Sequence, residues 1–305
     1  MFTHLLVPLD GSPMAEAAVP MAAAIARRCG ARITLLHVLE ADARPSVHGQ
    51  RHLAAAQEAQ AYLSQIQREQ LAGIESSFHV HDEQVRKVAS SLAQHSGEFQ
   101  PDLIIMCTHG PSRLRDMFGG NVAQQLTRGQ PAPVLLLPKG KPRTTVTKLM
   151  APLDGQAEHE RALAPASRLA AVFGAPMELV TVVVTEAAIM PYQNAPAVLL
   201  PQMTHEMLQM RQDEMCKYLL KHVEALRAAG VQASGTVLRG EAASALADHA
   251  AAGGVDAVAL ATHGKAGSTA FWAGTLPPKL LHRLDECVFL MVPASPGPHD
   301  AATGG

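Results

Sequence analysis

Two aspartates carry the first sign of chemistry in this chain. Asp10 and Asp154 sit in matching stretches, Val7-Pro8-Leu9-Asp10-Gly11 and Ala151-Pro152-Leu153-Asp154-Gly155. A carboxylate at such a turn can accept both hydroxyls of a ribose, and it can equally brace the turn, because Asp-Gly is a common turn pair. The second sign is a pair of glycine loops, Gly110 to Gly120 and Gly264 to Gly274, each running from an apolar stretch toward a helix start. Glycine lets a ligand approach the backbone, and unpaired N–H groups at a helix start favour an anion such as a phosphate chain. Both signs occur twice, the aspartates 144 residues apart and the loops 154 apart. Repetition at that period predicts two copies of one domain.

The elements that must position these residues repeat as well. In the first copy Leu5–Leu9 reads as a strand, and Ser12-Pro13 as the cap and first residue of a helix running to Cys29-Gly30. Ile33–Leu39 is an unbroken apolar run, as in a strand buried on both faces. A helix over 50–71, a strand over 78–81, a helix over 84–95 and a strand over 103–107 are expected next. The glycine loop, a helix from Asn121 and a strand over 134–137 complete the copy. The second copy follows the same order from Lys148 to Val292. Alternating strands and helices imply an α/β fold: two tandem Rossmann-like domains, each a five-stranded, mostly parallel sheet with helices on both faces. The expected division is a first domain over 1–140, a linker over 141–146, a second domain over 147–294 and a disordered tail over 295–305. The segment 187–203, with three prolines, has no counterpart in the first copy and is expected to pack on the neighbouring domain.

In such sheets ligands bind at the carboxyl ends of the strands, where the strand order reverses. The aspartates, the glycine loops and the ends of the second strands, His37-Val38 and Thr181-Val182, should meet there. At either second-strand end a main-chain N–H and C=O can read an adenine edge whatever the side chain.

Composition narrows the partners. The formal charge is −2 and neither half is strongly basic, which argues against nucleic acid and membrane surfaces as partners. No apolar run reaches the roughly 20 residues that span a bilayer. Cys29, Cys107, Cys216 and Cys287 fall in no CxxC spacing, which suits a reducing compartment. With no signal-peptide pattern at the start, a cytoplasmic location is expected. No Walker A sequence, nucleophile elbow or HExxH appears.

These features together resemble the universal stress protein family, in its tandem two-domain form, over about residues 2–138 and 147–293. The nucleotide-binding branch of that family carries G-x2-G-x9-G-[ST] after its fourth strand. Here the first copy reads Cys107-Thr108-His109-Gly110, nine residues, then Gly120-Asn121; the second reads Ala261-Thr262-His263-Gly264, nine residues, then Gly274-Thr275. The resemblance implies an adenine nucleotide, ATP or ADP, with or without Mg2+. Its ribose carboxylate maps to Asp10 and Asp154, its adenine-contacting backbone to Val38 and Val182, and its pocket-lining proline to Pro8 and Pro152. It also implies a regulatory role in stress response rather than catalysis, with any ATP hydrolysis slow and incidental. The last strands, Val134–Leu137 and Val288–Val292, should pair so that one chain mimics a dimer; a further homodimer is left open.

The departures from the motif separate the copies. Cys107 and Ala261 replace the first glycine, and Asn121 replaces the hydroxyl that the second copy keeps as Thr275. Pro277 and Pro278 remove two N–H donors from the helix after the second loop. On balance the second copy is the preferred nucleotide site: Pro152, Asp154, Val182, Gly264, Gly274 and Thr275. Pro8, Asp10, Val38, Gly110, Gly120 and Asn121 form its counterpart. A protein-interaction module that kept the fold and lost the ligand is the alternative. His79 and His81 alternate on one strand face and could ligate a metal, but no third ligand is evident, so they read as solvent-facing with no metal site. Cys107 reads as a small buried residue rather than a reactive thiol.

Overall fold

The computed structural model describes residues 1–41, 46–47, 50–51, 53, 55–85, 88–107, 132–138, 142–183, 201–262 and 276–293. These fall into two compact units, the first built on 1–145 with 288–293, the second on 146–261 with 276–287. The glycine loops, the helix expected from Asn121, most of the 187–203 segment and the tail lie outside the described residues.

The first unit contains β1 (His4–Pro8), α1 (Pro13–Glu16), α2 (Val19–Cys29), β2 (Arg32–Glu40), a two-residue pair β3 (Ser46–Val47) and β4 (Gln50–Arg51), and α3 (Ala56–Gln70). It continues with β5 (Ser76–Val85), α4 (Val88–Phe99), β6 (Leu103–Cys107) and β7 (Val134–Leu137). Its strands β5, β2, β1, β6 and β7 lie side by side in that order, and every pairing among them is parallel. The chain builds outward from β1 to β5 and then returns to β1's other side with β6. That reversal puts the topological switch between β1 and β6. Residues 5–7, 33–39, 103–105 and 134–137 are all buried, as a sheet covered on both faces requires.

In the second unit, β8 (Leu149–Pro152) is followed by a 3-10 turn (His159–Ala162), α5 (Leu163–Phe173), β9 (Met177–Val183) and α6 (Pro201–Ala228). Then come β10 (Ala233–Arg239), α7 (Ala242–Ala252), β11 (Ala257–Thr262) and α8 (Leu276–Arg283). The strand order β10, β9, β8, β11 repeats that of the first copy, so its switch lies between β8 and β11. The last strand in sequence, β12 (Val288–Pro293), belongs by its contacts to the first unit. There it pairs antiparallel with β7, Phe289 opposite Leu136 and Met291 opposite Val134. The expected meeting of the two last strands is thus present.

A duplicated clamp ties the strands of each unit together at their amino ends. Asp102, just before β6, accepts Thr3 N–H at 2.7 Å and Thr3 hydroxyl at 2.9 Å. Asp256, just before β11, accepts Thr147 N–H at 3.0 Å, its hydroxyl at 2.8 Å and Lys148 N–H at 3.0 Å. In each unit the carboxylate thus fixes the start of the first strand against the fourth.

Several boundaries differ from the sequence expectation. The single helix expected from Pro13 to Gly30 is two helices. Pro20 has no N–H for the Glu16 carbonyl and its ring crowds that oxygen, so it is accommodated only in the first turn of a new helix. Gly30, at φ +68°, closes that helix in the left-handed conformation. The helix expected over 50–71 begins at Ala56, because Gln50–Arg51 pair with Ser46–Val47. The strand expected over 78–81 extends from Ser76 to Val85: past a bulge, Val85 pairs with Glu40 and accepts Ala41 N–H. The following helix accordingly starts at Val88 rather than Gln84.

Candidate functional site

The turn that follows the first strand of each unit holds its aspartate with donors from its own chain. In the first unit Ser12 donates both its N–H (2.9 Å) and its hydroxyl (2.6 Å) to Asp10 Oδ1. Ser12 Oγ in turn accepts Ala15 N–H and caps α1. The second unit has Gln156 in place of Ser12, so only an N–H reaches Asp154 Oδ1, at 3.0 Å. The lost hydroxyl is replaced by His159, whose Nδ1 donates to the same oxygen at 2.6 Å. Both side chains of that pair are below a tenth exposed, 9% for His159 and 7% for Asp154. His159 was missed in the sequence reading; its signal is a histidine five residues past the aspartate, where the first copy has Ala15. In both units the donors converge on Oδ1, and no described residue hydrogen-bonds Oδ2.

The glycine after each aspartate is left-handed, φ +85° at Gly11 and +84° at Gly155, a conformation that a side chain resists. A residue from farther along covers each turn. A Cβ on Gly11 would lie 2.8 Å from Leu53 Cδ1, and one on Gly155 would lie 3.7 Å from Met215 Cε on α6.

The backbone beside these turns is set by strand alternation. On β2 the even residues face β1: Arg32 N–H donates to Thr3 O, and Leu36 O accepts Leu9 N–H at 2.8 Å. The odd residues face β5, as Ile33 N–H does toward Glu75 O. Val38 is therefore the next residue on the β1 edge, and β1 has already ended at Pro8. Leu9 O, which would otherwise accept its N–H, is taken by His37 Nδ1 at 2.7 Å. In the second unit Leu153 N–H donates to Val180 O, and Val182 is left beyond the end of β8 in the same way. Pro8 and Pro152 are the last residues of β1 and β8. The structure thus gathers Pro8, Asp10 and Val38, and likewise Pro152, Asp154 and Val182, at the carboxyl ends of adjacent strands beside the switch. Gly110, Gly120, Asn121, Gly264, Gly274 and Thr275 lie outside the described residues. Immediately after Thr275, α8 begins with Pro277 and Pro278 in its first turn.

Each turn also faces a tyrosine from the copy's long helix. Tyr218 donates to Glu160 Oε1 at 3.0 Å, and Glu160 also meets His222 Nε2 at 3.3 Å. Burial, then the charges of Glu160 and Asp154, push the Tyr218 hydroxyl well above its ordinary range. Tyr62 is raised in the same way by burial, then Glu16 and Asp10. Glu16 and Glu160 are 144 residues apart, the aspartates' own offset, a signal that could have been read from the sequence. Cys107, at the end of β6, is buried; burial and then the Asp10 charge push its thiol up to about 12. This is the inert small residue expected.

A different cluster lies at the sheet edge of the first unit. His79 and His81 on β5 are half-buried rather than solvent-facing, because His95 of α4 packs between them. The missing third imidazole is thus supplied by a helix 14 residues along the chain from His81. His95 Nε2 lies 3.0 Å from His81 Nδ1, and His95 Nδ1 lies 2.8 Å from Glu98 Oε2.

The fold and this arrangement define an α/β protein made of two copies of one architecture, with an aspartate and the end of the second strand beside each switch point. Comparison with known proteins places it more narrowly. The model of the universal stress protein family matches residues 1–138 and again 145–290, and the chain belongs to that family as a tandem two-domain member. Its fold is similar to a universal stress protein from Archaeoglobus fulgidus DSM 4304 (14% identity, 95% of this chain and 96% of that one, TM-score 0.60). It is also similar to a functionally unknown protein from Pseudomonas aeruginosa PAO1 (18% identity, 96% and 93%, TM-score 0.63). A third similar structure is a putative universal stress protein from Pseudomonas aeruginosa UCBPP-PA14 (17% identity, 96% and 93%, TM-score 0.63). No curated protein sequence matches the chain. Among the described residues, no helix is long and apolar enough to cross a membrane.

Proposed function

We propose that this protein is a stress-response protein that binds an adenine nucleotide, ATP or ADP, and acts by binding rather than by turnover. The observation that carries this reading is the state of the two aspartates. Each has Oδ1 pinned by its own turn and Oδ2 left without a described partner, beside a valine whose N–H and C=O extend past the end of the neighbouring strand. Oδ2 would accept the ribose hydroxyls, and the Val38 or Val182 backbone would read the adenine edge. The loops ending at Gly120 and Gly274 would take the phosphates, with Mg2+ as an optional counterion. The second copy is the preferred site because Thr275 keeps the hydroxyl that Asn121 lacks. Ser12, Gln156 and His159 spend their described bonds on holding the aspartates, so any ATP hydrolysis should be slow and incidental.

A specific observation favours the alternative, a protein-interaction module without ligand. The Asp154–His159 pair spends part of the carboxylate inside the protein in the copy that is otherwise the better candidate. Trp272, the lone tryptophan, lies two residues before Gly274 and supplies the test. Mg-ATP at millimolar concentration should change its emission and raise the melting temperature. Asp154→Ala should weaken the response about 10- to 100-fold, the worth of one or two hydrogen bonds to a charged group. No change in either signal with the wild-type protein would reject the nucleotide reading in favour of the interaction module.

A further inference from the structure

We propose that His79, His81 and His95 form a binding site for a divalent transition metal, best suited to Zn2+, at the edge of the first unit. One ligand nitrogen from each of the three imidazoles lies within 4.8 Å of the others. Two come from alternate residues of one strand, which place their side chains on the same face. The third comes from α4 and is 4% exposed. Zinc–nitrogen distances of about 2.0–2.1 Å put tetrahedral ligand nitrogens about 3.3 Å apart. The 3.0 Å between His95 Nε2 and His81 Nδ1 is already close to that spacing, so only His79 needs to draw in.

The hydrogen bonds prepare the same outcome. A carboxylate only accepts, so Glu98 fixes the proton of neutral His95 on Nδ1 and leaves a lone pair on Nε2. That is the outer carboxylate commonly found behind a metal-binding histidine. His81 now donates from Nδ1 to that lone pair. On metal binding it takes its other tautomer, with the proton on Nε2 and Nδ1 on the metal, so no oxidant or further reactant is needed. Phe99 packs against the rings of His79 and His95 and gives the site an apolar wall. Three imidazoles suit zinc and its neighbours rather than Mg2+ or Ca2+, which prefer oxygen ligands. A fourth position is left for water or another ligand.

The fold itself does not demand this cluster. Leu36 pairs with His79 and Val38 with His81; at the equivalent pairings of the second unit, Val180 and Val182 meet Thr236 and Leu238. His249 is the counterpart of His95, 154 residues on, but it bonds Glu178 instead. One copy has kept the architecture with a single imidazole; the other has three brought together.

The test is a zinc titration of the full chain, stripped with chelator, against a chromophoric competitor. Wild type should take up one equivalent, and His79→Ala and His81→Ala should each lose it while keeping the wild-type circular dichroism. Glu98→Gln should keep the stoichiometry and weaken affinity about 10- to 100-fold. Zinc at about 100 times its Kd should raise the melting temperature by roughly 5–10 °C. Co2+ should give the visible bands of a four-coordinate site, which vanish in His81→Ala. Two results would overturn the proposal: no uptake by wild type at micromolar zinc, or undiminished uptake by the His79→Ala/His81→Ala double variant, which would place the zinc at other histidines. His79 and His81 are half-buried on an edge strand, so these variants decide the matter even if His95→Ala fails to fold.

Discussion

Glu178 offers the sharpest test of how the second unit is held together. It sits near the start of β9, 7% exposed, and accepts Thr236 hydroxyl at 2.6 Å, His249 Nε2 at 2.9 Å and Lys148 Nζ at 3.0 Å. Burial raises its pKa, but the hydrogen bonds from Thr236, Lys148 and His249 outweigh it and hold the carboxyl below its ordinary value. Replacing it by Ala removes one charged acceptor from three donors. Lys148 and His249 are 30% and 25% exposed and can be rehydrated in part, so the cost falls below that of a fully buried pair, at about 2–3 kcal/mol. For a chain of this size that is a melting temperature lower by roughly 5–10 °C. Because the folded pKa is depressed, the contribution is fully present above the unfolded carboxyl value of about 4.3 and is lost as pH falls through the lower folded value. Denaturant melts of wild type and Glu178→Gln should therefore differ most from neutral pH down to about 5, and converge in more acidic solution. Glu178 lies at the opposite end of the strands from Asp154, so nucleotide response should be unchanged in the folded variant. A Glu178→Ala protein within about 0.5 kcal/mol of wild type at pH 7 would refute the reasoning.

Three further predictions come from duplicated or contrasting residues. Asp102→Ala and Asp256→Ala should each destabilise by about 1–2 kcal/mol in denaturant melts, since each clamp loses several hydrogen bonds at once; an effect in one copy alone would contradict the clamp's shared role. Gly155→Ala should cost about 1–2 kcal/mol, from a left-handed φ with Met215 already near, and the same melts would show it. With a thiol reagent at pH 8, exposed Cys216 should react first and Cys107, pushed up to about 12, last, as peptide mapping would read out.

The inner strands of the first copy were legible because they are continuous apolar runs. Leu103–Cys107 and Val134–Leu137 stand in the structure at the bounds expected, and the paired offsets of Asp10 and Asp154 pointed to two copies of one fold. The break at Pro20 was hidden because Ser12-Pro13 is a strong start signal and the apolar pattern continues through Ala22–Ala26. The length of β5 was hidden for another reason: its polar residues, His81 to Gln84, break the apolar alternation, and it is the bulged pairing with Glu40 that extends it. His159 left a faint signal, a histidine five residues past Asp154 where the first copy has Ala15, but its bond back across the turn is a contact made by folding. His95 comes from a helix to meet an edge strand and could not be read from the neighbours of His79 and His81 in sequence.

The account stands most directly on where a nucleotide sits. A structure of the full chain crystallised with Mg-ATP should show the ribose hydroxyls on Asp154 Oδ2 and the adenine edge against the Val182 backbone, with His159 still on Oδ1. Nucleotide bound away from the β8 and β9 strand ends, or a second site left empty at saturating ATP, would contradict it.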